Sequence, residues 1–116
     1  MSGTADAGSI ADRFARLAGR FTDRPDVELA AGRGFGRGSL QIGGRIFAMT
    51  SRGRLVLKLP VGRVAALVAS HEGEPFDAGK GRPLAEWLAL GDADDDRWHE
   101  LAAEAADFVG GRPARG

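Results

Sequence analysis

Apolar positions recur along this chain with two different periods. Ile10, Phe14, Leu17 and Phe21 follow one another at intervals of four, three and four, which places them on one stripe of a helix. Ser9 and Asp12 have capping-box spacing at its start, with Asp where Glu is usual. Pro25 stops the helix by then, because the residue before a proline is pushed out of the α region. Val27 and Leu29 then alternate with Asp26, Glu28 and Ala30, the mark of a short strand. The glycine-rich stretch 32–38 interrupts regular structure.

Period two continues in a meander. Gly43-Gly44 separates Leu40-Gln-Ile42 from Arg45-Ile-Phe-Ala-Met49, and two glycines suit a two-residue hairpin that needs positive φ. Arg52-Gly53 makes the next turn, before Arg54-Leu-Val-Leu-Lys-Leu59. The run from Ile46 to Met49 is apolar on both faces and reads as a central strand, whereas Leu55, Leu57 and Leu59 share one face. Pro60 opens a second helix with Val64, Leu67 and Val68 on its buried side, ending near Ser70. Phe76 falls in a short extended piece and residues 79–83 in a loop. Residues 84–90 are short and bounded by Pro83 and Gly91, which favours a strand over a helix.

Trp98, Leu101, Ala102, Ala105, Phe108 and Val109 lie three and four apart, the stripe of a last amphipathic helix over 95–109 that Gly110-Gly111 ends. The expected class is α+β: an antiparallel sheet, a meander plus one or two later strands, with N-terminal, middle and C-terminal helices. The hairpin links are too short for crossover helices. Residues 9–110 form one domain, with tails at 1–8 and 111–116.

Composition narrows the chemistry. Hydrophobic residues at 43% and charged residues at 28% are a globular balance, against wholesale disorder. The chain has no cysteine, which removes disulfides, thiolate chemistry and Cys-based zinc sites. The first twenty residues hold no apolar core of signal-peptide length and no run could span a bilayer, so a cytoplasmic location without membrane contact is expected.

Sixteen basic and sixteen acidic residues cancel, but unevenly along the chain. Arg33, Arg37, Arg45, Arg52, Arg54, Lys58 and Arg63 follow one another with no acid among them, a candidate surface for an anion or macromolecule. From Glu72 to Asp107 eleven acids meet only Lys80, Arg82 and Arg97, and the two regions are expected to neutralise one another. Arginine is also what a GC-rich genome encodes, so its abundance says little about phosphate.

The usual site motifs fail residue by residue. No frame from Gly32, Gly34 or Gly36 completes G-x-G-x-x-G, and a hairpin strand follows where a helix should start. Gly79-Lys80 lacks the Walker glycine, since Glu74 stands there. Asp92-Ala-Asp-Asp-Asp96 opens like a calcium loop, but Arg97 and Ala103 hold the Gly and Glu positions, so a helix N-terminus capped by Asp94 or Asp95 is the reading. His99-Glu100 lacks its second His. No serine sits in a nucleophile elbow. Neither metal, cofactor nor catalytic residue is therefore assigned. Lys58, Arg82 and Trp87 are the candidate lining of a small-molecule pocket, and Trp87 and Trp98 are read as core anchors.

Phe35-Gly36, Leu40, the stretch 43–49, the stretch 53–60, Arg63-Val64, Leu67, Pro75-Phe-Asp77, Gly81-Arg82, Glu86-Trp-Leu88, Trp98, Leu101-Ala102, Glu104-Ala105 and Phe108-Val109 stand in an order that resembles the TfoX/Sxy N-terminal domain family. YjbR-like proteins are a more distant likeness in architecture. The resemblance runs from about Phe14 to Gly110. It implies an α+β domain and a role around transcription, because founding members promote competence-gene expression together with the cyclic-AMP receptor protein. It supplies no catalytic residue. The family's Phe-Gly-Gly is Phe35-Gly36-Arg37 here, and the founders carry a second, C-terminal domain beyond the stretch matched.

The expected function is a non-enzymatic regulatory or adaptor domain acting on a protein partner, as monomer or homodimer. The alternatives are weak, sequence-indifferent DNA binding through the 33–63 basic segment, and a ligand or enzymatic pocket near Lys58, Arg82 and Trp87.

Overall fold

The computed structural model describes residues 10–31, 38–76 and 84–111. In chain order they form α1 (Ile10–Gly19), β1 (Val27–Ala31), β2 (Gly38–Ile42), β3 (Arg45–Ser51), β4 (Arg54–Lys58), α2 (Val61–Ala69), β5 (Gly73–Phe76), β6 (Leu84–Leu90) and α3 (Asp95–Gly111). This is the α+β arrangement that the pattern predicts, including the strand at 84–90. Ser9, residues 32–37 and the 79–83 loop lie outside the described residues.

All six strands join one sheet in the order β1-β2-β3-β4-β6-β5, every neighbouring pair antiparallel. β1 to β4 follow one another because their links are short. Gly43 and Gly44 take φ of 60° and 81°, and Arg52 and Gly53 take 54° and 77°, so both hairpins turn with positive φ at both central residues, matching the strand twist. β6 then inserts between β4 and β5. β4 and β5 therefore run parallel with α2 as their crossover, a split β-α-β unit.

β3 carries the irregularity that its sequence hints at. Leu40 pairs with Ala48 and Gln41 with Ile46, leaving Phe47 as an extra residue. A bulge sends consecutive side chains to one side. Phe47 and Ala48 are accordingly both fully buried in the main core.

That core draws on all three helices, with Leu55, Leu57, Leu59, Leu88 and Leu90 beneath them. A second cluster of Val56, Phe76 and Ala89, flanked by Met49 and Trp87, includes no helical residue. Strand alternation puts it on the opposite face, so the helices cover one side of the sheet.

Helix ends differ from the pattern at two places. α1 stops at Gly19, before Phe21, which the stripe places on the helix. Tight bonds from Arg20 N–H to Leu17 O and from Phe21 N–H to Ala18 O turn the chain, and Phe21 is buried from outside the helix, edge-on to Phe47 at 5.7 Å. α3 continues through Gly110 and Gly111. Gly110 serves packing rather than termination: a Cβ there would lie 2.6 Å from Ile42 Cδ1.

α2 ends in a Schellman motif. Glu72 N–H donates to Leu67 O at 2.9 Å and His71 N–H to Val68 O at 3.0 Å. The left-handed position belongs to His71, with φ of 66°.

Candidate functional site

The described basic residues of the 33–63 segment are held in different ways. Arg33 and Arg37 lie outside the described residues, as does Arg82. Arg54 is a strap across the sheet: it donates to Glu74 at 3.0 Å, to Leu90 O at 3.2 Å and to Ala89 O at 3.3 Å. Arg63 grips Glu104 of α3 with two bonds of 2.8 and 3.0 Å, which raises its already high pKa. Arg52 is exposed at the β3–β4 turn. The expected mutual neutralisation of the basic and acidic regions is thus realised by named pairs.

Arg45 and Lys58 are placed differently. Arg45 is exposed at the start of β3 and makes no ion pair among the described residues. Lys58 reaches Glu86 only at 3.7 Å, too long for a hydrogen bond. The β4–β6 register sets Lys58 directly opposite Trp87, with its ammonium 5.4 Å from the ring centroid. Arg45, Lys58 and Trp87, with Gly44, Ile46 and Val109, line a depression of about 430 Å³ at one end of the sheet. Two residues of the expected pocket, Lys58 and Trp87, and two of the basic segment, Arg45 and Lys58, therefore meet there. An arginine, a lysine and an indole together can accept a carboxylate or phosphate beside a flat apolar group.

A second constellation escaped the sequence reading. Arg13 and Arg16 of α1 both bond Asp95, at 3.0 and 2.9 Å, and Arg20 bonds Asp96 at 3.0 Å. Arg13 also lies over Trp98, 4.0 Å from its centroid. These residues border a cavity of about 340 Å³ with Leu17. The spacing of Arg13, Arg16 and Arg20 marks one helix face and was a legible signal, but its partners stand some eighty positions away. Hydrogen bonds from Arg16, then Arg13, hold the Asp95 carboxyl below the usual range. Its ion pairs make this a clamp between the N-terminal segment and α3.

A third cluster joins the α2–β5 turn to α3. Arg97 makes two bonds to Glu72, of 2.9 and 3.1 Å, and one to Glu100 at 3.0 Å. It lowers the Glu72 pKa, and its own is raised. The acidic run at 92–96 behaves as a helix start: Asp94 accepts the Arg97 backbone N–H at 2.9 Å. Among the described residues no group of three or more His, Asp or Glu could hold a metal ion. His99 packs edge-on to Phe21, 5.4 Å between centroids. Trp98 is buried as expected, whereas Trp87 is only half-buried. No helix of the described residues is long and apolar enough to cross a membrane.

Comparison of the chain with protein-family models, with curated proteins and with solved structures returned no match in any of the three, so the likeness to the TfoX/Sxy N-terminal domain rests on the ordered residues quoted above.

Proposed function

We propose that this domain is a non-enzymatic regulatory or adaptor module that binds a protein partner, in the setting around transcription that the resemblance implies. The observation that carries this reading is the Arg45–Lys58–Trp87 depression. Arg54 and Arg63 are hydrogen-bonded by carboxylates of the same chain, whereas Lys58 meets Glu86 only at 3.7 Å and Arg45 is exposed without an ion pair among the described residues, both beside a half-buried indole. A shallow cationic and aromatic recess suits an acidic side chain of a partner, with a neighbouring apolar group against Trp87.

The pKa values of Glu72 and Asp95 are shifted down, those of Arg63 and Arg97 up. Every one of these shifts favours the charged, ion-paired form. Nucleic acid is the weaker reading, because a phosphate backbone would have to displace the carboxylates that hold Arg54 and Arg63.

A photo-crosslinking amino acid placed at Trp87, and in a control chain at exposed Ala66 on α2, tests the proposal in the native cell. We expect one defined protein adduct at position 87, absent at 66 and lost when Arg45→Glu and Lys58→Glu are added. Equal capture at both positions, or an adduct to nucleic acid, would overturn it. Fluorescence anisotropy with duplex DNA across a salt series should show only weak, sequence-indifferent binding, roughly 10⁻⁴ to 10⁻⁶ M at physiological salt. Tight binding to one sequence that survives high salt would also overturn it.

A further inference from the structure

The cations that line the depressions around α1 and the start of α3 are Arg13, Arg16, Arg20 and Arg54, and each holds a carboxylate of the chain itself. The recess of about 430 Å³ beside Trp87 is different. Its Arg45 is exposed and makes no ion pair among the described residues, and its Lys58 shares its charge with Glu86 across 3.7 Å. Among the described residues one cation of the recess is therefore unopposed.

The apolar part of the lining comes from three separate elements. Ile46 of β3 and Trp87 of β6 are half-buried, and Val109 of α3 is buried. Gly44 of the β2–β3 turn adds no side chain, and nothing lies within 4 Å of where its Cβ would stand, so the recess stays open on that side. Pockets that hold small organic molecules measure about 300–1,000 Å³, with mostly apolar walls and a few placed polar groups. This recess falls in that range and has room for a ring as well as a carboxylate.

We propose that the Arg45–Lys58–Trp87 recess is a small-molecule site for a monocarboxylate carried on a flat aromatic body. The carboxylate takes the Arg45 guanidinium, whose planar donors match two oxygens. The ring lies against Trp87 in the offset or edge-on contact that aromatic pairs prefer. Glu86 selects the charge. It stands beside Lys58, so a phosphate dianion would bring two negative charges to a recess with one cation to spare, next to a carboxylate that repels it. A neutral aromatic compound gains the ring contact alone. Ligand binding stands on the recess by itself, whereas its consequence rests on the partner reading above. A partner's acidic side chain and the ligand need the same guanidinium, so the ligand competes with the partner.

The test uses the purified chain. Its two tryptophans give two indole N–H signals in a ¹⁵N–¹H correlation spectrum, assigned with Trp87→Phe. The probes are 2-naphthoate, 2-naphthyl phosphate and 2-naphthylmethanol. Naphthoate should shift the Trp87 signal and leave Trp98 in place, with a Kd of about 1 mM, the strength expected of so small a ligand. The phosphate and the alcohol should bind about tenfold more weakly, as should naphthoate to Arg45→Ala, because each loses a charge-assisted contact or meets repulsion. Glu86→Gln should narrow the gap between phosphate and carboxylate, and unmoved backbone signals from α1 show that each variant is folded. No shift at roughly ten times that concentration, equal shifts of both indoles, phosphate binding as tight as carboxylate, or unchanged binding by Arg45→Ala would each overturn the inference. The two readings fail separately. A protein adduct at position 87 with no naphthoate shift removes the ligand site alone, and a naphthoate shift with no adduct removes the partner alone.

Discussion

Trp98 offers a direct measure of how the helical layer is held to itself. It is 3% exposed in the first turn of α3, beneath the Arg13 guanidinium, and its indole Nε1 is buried without a hydrogen-bond partner. Two effects oppose each other here. Truncating a buried aromatic to alanine costs about 3–5 kcal/mol through lost burial and the cavity left behind. Removing an unpartnered buried N–H returns about 1–3 kcal/mol, the penalty of desolvating it. Trp98→Ala should therefore fall at the low end, about 3 kcal/mol. Trp98→Phe keeps an aromatic ring under Arg13 and removes the N–H, so relief offsets the smaller cavity and stability stays within about 1 kcal/mol of the parent. Urea melts followed by circular dichroism measure both. With a slope of about 1.5 kcal/mol per molar, Trp98→Ala moves the midpoint by about 2 M and Trp98→Phe by well under 1 M. Equal losses for the two variants would refute the claim that the N–H is unpaired. A loss under about 1 kcal/mol for Trp98→Ala would mean that the side chain is not buried in solution.

Two further outcomes follow from the α2–β5 turn and its surroundings. His71 holds a left-handed conformation that glycine adopts without strain, so His71→Gly should stabilise by about 0.5–1 kcal/mol, raising Tm by a few degrees in calorimetry; an unchanged or lower Tm would contradict the Schellman geometry. Glu72 and Asp95 have depressed pKa values, chiefly through the hydrogen bonds from Arg97 and from Arg16, and a depressed carboxylate adds stability above its unfolded pKa that is lost as pH falls through its folded value. Urea midpoints should therefore drop below about pH 4, and a Glu72→Gln, Asp95→Asn chain should lose less on acidification; parallel acid limbs would show that these pairs contribute nothing.

Much of the fold was legible because local chemistry decides it. Gly43-Gly44 and Arg52-Gly53 fall where a two-residue turn requires positive φ, and the measured angles supply it. Asp94 caps α3 because a short acceptor one residue before a helix meets free N–H groups whatever the rest of the chain does. Residues 84–90 are a strand, as their length and their proline and glycine boundaries imply. What local pattern leaves open is which distant elements meet. Nothing near β6 says that it inserts between β4 and β5, since strand order depends on where α2 finds apolar area to cover. The Arg13, Arg16 and Arg20 stripe was in plain view, yet its acids become partners only when α3 packs beside α1. Phe21 continues the helical spacing but leaves the helix, because burial against Phe47 and His99 outweighs the period. The candidate site follows the same rule. Arg45, Lys58 and Trp87 are ordinary residues on three strands, and only the register of β3, β4 and β6 gathers them into one recess while tying Arg54 and Arg63 to acids elsewhere.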